Sequence, residues 1–84
     1  MGLMKRLDER AGLMGRMMRT VGATDAMPMD FTLETTMRAA IHRCMGCDRP
    51  QDCAGWLDAH EDGARQTPDY CRNGEVFGRW TGQD

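Results

Sequence analysis

The sequence has little with which to build a large core. Five of its 84 residues are aromatic (Phe31, Trp56, Tyr70, Phe77 and Trp80). A chain this short buries only about 60–65% of its unfolded surface. Scaffolds of that size ordinarily need a disulfide, a metal or a partner subunit to hold them. No excess of one charge exists either: 11 Lys and Arg against 13 Asp and Glu leave a net charge of −2. That removes the general electrostatic case for binding DNA, RNA or an anionic membrane. No apolar run approaches the ~18 residues of a bilayer span. The stretch from Met1 to Arg10 is broken by Lys5, Arg6, Asp8 and Glu9, unlike the unbroken apolar segment of a secretory signal. The expected location is therefore the cytoplasm, with no membrane and no nucleic-acid partner. Period-two alternation and internal repeats are missing, so no sheet is expected. No Ser-His-Asp arrangement or paired-carboxylate motif is present, and the expectation is a protein that is not an enzyme.

What is present is helical periodicity. Met4, Leu7, Ala11, Met14, Met18 and Val21 recur in alternating steps of three and four, an a/d seam that predicts a helix from about Leu3 to Val21. Leu3, Leu13 and Met17 widen the stripe, while Gly12 and Gly15 each cost about 1 kcal/mol of helix propensity relative to Ala. Two uses of the seam stay open: packing on the rest of the protein, or pairing with a second copy as a homodimer. Gly22 to Asp30 reads as a connector. Asp30 is a candidate N-cap for a helix from Phe31 to about Arg43, with Leu33, Met37, Ala40, Ile41 and Cys44 on one face. Asp52 is placed to cap a short helix from Cys53 to about His60, with Trp56 and Leu57 inward. Thr67-Pro68 reads as N-cap and first helical residue of a last stretch carrying Tyr70, Cys71, Val76, Phe77 and Trp80, bent at Asn73-Gly74. The expected fold is all-α, about four short helices wrapped around one cysteine-ligated site. Residues 1–24 form a Met-rich amphipathic helix and 25–84 a helical four-cysteine domain.

The cysteines carry the chemistry. They run Cys44-x2-Cys47-x5-Cys53-x17-Cys71. A reducing cytosol disfavours disulfides and turns the reading toward a metal or cluster. Four thiolates satisfy a tetrahedral zinc ion or a [4Fe–4S] cluster. Common zinc modules use two C-x2-C knuckles, and this sequence has one such pair, a wider step and a singleton. Arg43, Arg49 and Arg72 lie beside the cysteines and could offset the charge of the loaded site. Cys53, at an expected helix start, would be the most acidic thiol. His42 and His60 could each substitute as a zinc ligand, tune a cluster from outside, or be solvated. Met45, Trp56, Tyr70 and Trp80 are candidates to shield the site from water. Cys44 ends a helix, which disfavours thioredoxin-like chemistry, and Asp48 after Cys47 excludes a C-x-x-C-H haem motif. Asp48, Asp52, Asp58, Glu61 and Asp62 read as a wet acidic surface. The nine Met suit adaptable core filling or a partner-binding face.

The Cys44–Cys53 segment resembles the cluster loop of endonuclease III-like DNA glycosylases over ten residues. That family has a further Cys seven residues upstream, where this sequence has Met37, and the loop here is Asp-rich rather than basic, so DNA binding does not carry over. A longer set of residues is similar to a family of small four-cysteine bacterial proteins with a domain of unknown function. It runs from Arg43-Cys44-Met45-Gly46-Cys47 through Cys53-Ala54-Gly55-Trp56-Leu57 to Pro68-Asp69-Tyr70-Cys71-Arg72-Asn73 and Phe77. That resemblance implies that the four Cys belong to one site. The expectation is one [4Fe–4S] cluster on Cys44, Cys47, Cys53 and Cys71, serving electron transfer or redox or oxygen sensing with a partner the sequence does not name. The alternatives are a structural Zn²⁺ module whose Met-rich helix binds a partner, and a thiol switch.

Overall fold

A computed structural model describes residues 2–82. Those residues form five helices and no strand: α1 (Gly2–Thr20), α2 (Ala23–Ala26), α3 (Leu33–Met45), α4 (Pro50–Ala59) and α5 (Gly74–Thr81). The protein is all-α. No described helix is long and apolar enough to cross a membrane.

α1 is the organising element, packing on α2, α3 and α4, while α2 also meets α5. The a/d seam is used within the protein, but only over its C-terminal half. Met14, Met18 and Val21 are buried, joined by Met17 at 2% exposure, whereas Leu3, Met4 and Leu7 stand in solvent. Around the buried half gather Ala23, Ala40, Leu57, Val76 and Phe77. The Cα envelope is only 17 Å through its thin direction, close to two helices packed at ~8–10 Å plus their radii. Nearly every side chain is therefore near water, and few apolar groups are fully buried. The 24/25 boundary suggested by the sequence falls inside α2, and the core is assembled from both sides of it.

Local chemistry moves three expected helix starts. Asp30 does not cap a helix at Phe31. Its Oδ1 accepts from the Thr32 N–H at 2.9 Å and hydroxyl at 2.6 Å, holding a turn that delays α3 to Leu33 and leaves Phe31 96% exposed. These bonds hold the Asp30 carboxyl below its usual range. α4 begins at Pro50, three residues before the expected Cys53, because proline's fixed φ and missing N–H suit the first helical position. Asp52 then lies inside the first turn and pairs with Arg49 at 2.8 Å. Thr67-Pro68 opens no helix at all. Residues 67–73 run in turns, with the Cys71 N–H donating to Pro68 O at 3.0 Å and the Gly74 N–H to Cys71 O at 3.1 Å. α5 starts only after Asn73. The connector holds α2, a single helical turn entered through Gly22 at φ 82°, a left-handed geometry that glycine adopts without strain.

Candidate functional site

Three segments carry the cysteines. Cys44 lies in the last turn of α3, Cys47 in the loop after it, Cys53 in α4, and Cys71 in the turns before α5. All four are free thiols, each half-buried. They line one cavity of about 40 Å³, several times the ~10–15 Å³ that a single water needs. Leu13, Met14 and Met17 of α1 and Phe77 of α5 face the thiols across it, and Arg10, Pro50, Tyr70 and Arg72 complete the lining. The apolar cover thus comes from α1 and Phe77. Of the four shielding residues expected from the sequence, Tyr70 lines the cavity, and Met45, Trp56 and Trp80 do not.

Among the described residues no three His, Cys, Asp or Glu side chains come within common reach of one metal ion. The thiols surround a space instead of meeting at a point. Neither histidine lines the cavity. His42 is exposed, and His60 stacks on Trp56 at 4.1 Å with Nδ1 2.7 Å from Trp56 O.

N–H and O–H donors point at the sulfurs. The Arg49 backbone N–H donates to Cys47 Sγ at 3.4 Å and the Asn73 side-chain amide to Cys44 Sγ at 3.2 Å. Near Cys71 Sγ, the Asn73 and Gly74 backbone N–H groups and the Thr67 hydroxyl are placed to favour its anionic form. Such bonds stabilise anionic sulfur. In the metal-free protein burial outweighs them. Desolvation pushes Cys44 and Cys71 above the ordinary thiol value, and burial with the neighbouring cysteines pushes Cys53 up to about 11. The expectation that Cys53 is the most acidic thiol is therefore corrected. With α4 starting at Pro50, Cys53 is the fourth helical residue, past the orphan N–H groups of the helix end, and its surroundings are apolar.

The loop is held from outside by α1. Arg10 Nη1 donates to Cys44 O at 2.6 Å and Cys47 O at 2.7 Å, and Arg6 Nη2 to Met45 O at 2.8 Å. Cys44 O already accepts from the Cys47 N–H at 3.1 Å, so Arg10 is a second donor there, while Arg6 takes the Met45 carbonyl at the end of α3. Of the arginines beside the cysteines, Arg72 lines the cavity. Arg43 goes to Asn73 Oδ1 at 3.4 Å. Arg49 lies over the Tyr70 ring at 4.2 Å. The charges acting favourably on Cys44 and Cys53 come from Arg10 and Arg16 of α1.

Sequence reading missed Arg10, Thr67 and Asn73. Arg10 sits off the seam and looks like a solvated face residue. Thr67 resembles a helix cap. Asn73-Gly74 has the signature of a bend, and only its long-range partners show otherwise.

The fold and cavity define a class: a small all-α protein whose four cysteines share one lined space. The protein belongs to the Family of unknown function (DUF6455), whose model matches residues 1–83. No curated protein and no solved structure matches it, so the glycosylase-like look of the Cys44–Cys53 loop gains no counterpart there.

Proposed function

We propose that this protein holds one [4Fe–4S] cluster on Cys44, Cys47, Cys53 and Cys71 and serves electron transfer or redox or oxygen sensing in a reducing compartment, the cytoplasm. The observation that carries the reading is the shared cavity: four free thiols from three segments, ringed by N–H donors and covered by apolar side chains. Bound there, the cluster would supply one-electron oxidation and reduction. The protein's own part is to bind and to tune. Asn73 and the Arg49 backbone donate to sulfur, Arg10 and Arg16 add positive charge, and Met14, Met17 and Phe77 cover the sulfurs.

Among the described residues no three metal-binding side chains come within common reach of one ion, which favours the larger centre over zinc. Zinc binds sulfur at about 2.3 Å, so four tetrahedral ligands lie within roughly 4 Å of one another. In a cubane each sulfur binds a different iron, which sets the ligands farther apart.

Anaerobic reconstitution with iron and sulfide tests the reading. The expected product is brown, absorbs broadly near ~400 nm, and carries about four iron and four sulfide per protein molecule. Cys71→Ser should lose most of the iron together with stability, because ligand binding and folding are coupled. A colourless protein holding one zinc, or a C71S variant with full iron content, would refute it.

A further inference from the structure

Asn73 is fully buried, and no other polar residue among the described ones is. It stands at the N-cap of α5, where its backbone carbonyl accepts from the Phe77 N–H at 3.0 Å. An asparagine that only capped the helix would turn its side-chain oxygen onto a first-turn N–H, and no such bond forms. The side chain points elsewhere. Its NH₂ group donates to Ala40 O at 2.9 Å and to Cys44 Sγ at 3.2 Å, and its Oδ1 accepts from Arg43 Nη1 at 3.4 Å. The carbonyl can only accept and the guanidinium can only donate, so the two partners fix which way round the amide lies. One buried residue therefore ties the start of α5 to α3 and to the sulfur of the first cysteine.

We propose that Asn73 is a positioning residue of the cysteine centre, whose amide, locked by Ala40 and Arg43, holds Cys44 Sγ through an N–H···S bond and so raises the reduction potential of the cluster. The inference rests on the cluster reading above and adds the group that tunes it. One-electron reduction adds negative charge to the cluster and its sulfurs. A fixed donor to a ligand sulfur stabilises that more anionic state. Hydrogen bonding from outside the ligand set is a recognised means by which a protein adjusts its metal. Burial excludes the water that would otherwise replace the donor and blunt its effect.

The sequence offers a selective probe, since Asn73 is its sole asparagine. The reconstituted wild-type protein, with its asparagine labelled with ¹⁵N in the side-chain amide, is reduced by one electron with dithionite and examined by pulsed EPR. The expected result is a ¹⁵N hyperfine coupling to the cluster spin. A loaded, reduced protein without that coupling overturns the inference and leaves the cluster reading standing. A wild-type protein that takes up no cluster overturns both. Asn73→Ala supplies a second readout, with a midpoint potential below wild type at unchanged iron and sulfide content. Equal potentials would again remove the tuning role. Should N73A fail to fold, the labelled wild-type measurement decides alone.

Discussion

Replacing Arg10 with alanine removes the clamp between α1 and the cysteine loop. Arg10 Nη1 makes two short bonds, 2.6 Å to Cys44 O and 2.7 Å to Cys47 O, and a long one of 3.5 Å to Met45 O. Hydrogen bonds from charged donors contribute about 1.5–3 kcal/mol each, so two short ones set a ceiling of about 3–6 kcal/mol. Two effects lower it. The site is part-buried, so water can reach the freed carbonyls, and alanine releases a side chain that is entropically costly to order, by up to ~2 kcal/mol. Arg6 still holds Met45 O. The expected loss is about 1.5–3 kcal/mol. With a urea m-value near ~1 kcal/mol/M for so small a protein, the midpoint should fall by about 1.5–3 M. Both short bonds leave one nitrogen, Nη1, so Arg10→Lys keeps a charged multi-proton donor, though without the planar guanidinium's fixed orientation, and should recover about half. Urea unfolding of the metal-free protein, followed by far-UV circular dichroism, gives both numbers. Arg38→Ala is the control, because the exposed Arg38–Glu34 pair at 2.7 Å contributes well under ~1 kcal/mol. If R10A unfolded at the wild-type midpoint, the clamp would hold nothing and the reasoning from its two short bonds would fail.

Other perturbations reach the core, the Cys71 turn and the thiols. Met17→Ala empties a site 2% exposed and should cost about 2–4 kcal/mol; a loss below ~1 kcal/mol in the same urea assay would show that the wall collapses freely. At Gly74 an added Cβ would lie 2.7 Å from Thr67 Oγ1, so Gly74→Ala should displace the hydroxyl from Cys71 and destabilise by about 1 kcal/mol, within the ordinary range for a displaced hydrogen bond. The G74A/T67A pair should then be no less stable than T67A alone, and strict additivity would refute the contact. Folding raises the pKa of Cys44, Cys53 and Cys71 above the ordinary value of 9.0. The folded metal-free protein therefore holds more protons than the unfolded one as pH rises past 9, and its stability should decline from there toward about 11, where Cys53 ionises. Thermal midpoints flat between pH 8 and roughly 11 would contradict that direction.

Periodicity made the helices legible, and partner chemistry hid their ends. The three-and-four spacing of Met14, Met18 and Val21 is the signature of a buried stripe, and that half of α1 is buried. The same spacing through Met4 and Leu7 carries no mark that distinguishes it, yet those residues find no cover. On α3 the face of Met37, Ala40, Ile41 and Cys44 turns inward as its spacing requires. Capping residues misled for a consistent reason. Asp30, Asp52 and Thr67 all have the side-chain chemistry of caps, and each commits its oxygen to another partner: Thr32, Arg49 and Cys71 in turn. A local pattern records what a residue can bond, and the tertiary structure decides what it does bond. Asn73 is the extreme instance, since both acceptors of its NH₂ group are on α3.

The cavity and the core are not separate objects. Met14, Met17 and Phe77 are core residues and also cavity wall, so any guest in the cavity rests directly on the few side chains that hold this thin molecule together. A rigid aliphatic wall would fit either the filled or the empty state and strain the other. Methionine has three rotatable bonds and a polarizable thioether, and can follow a change of contents by rotation without moving the helix that bears it. This gives the Met-rich α1 a physical purpose beyond filling space. Its methionines are an adaptable face of the cysteine cavity, and Arg6 and Arg10 are a fixed one, so the first helix joins with Asn73 and Phe77 in setting how firmly the thiols are held.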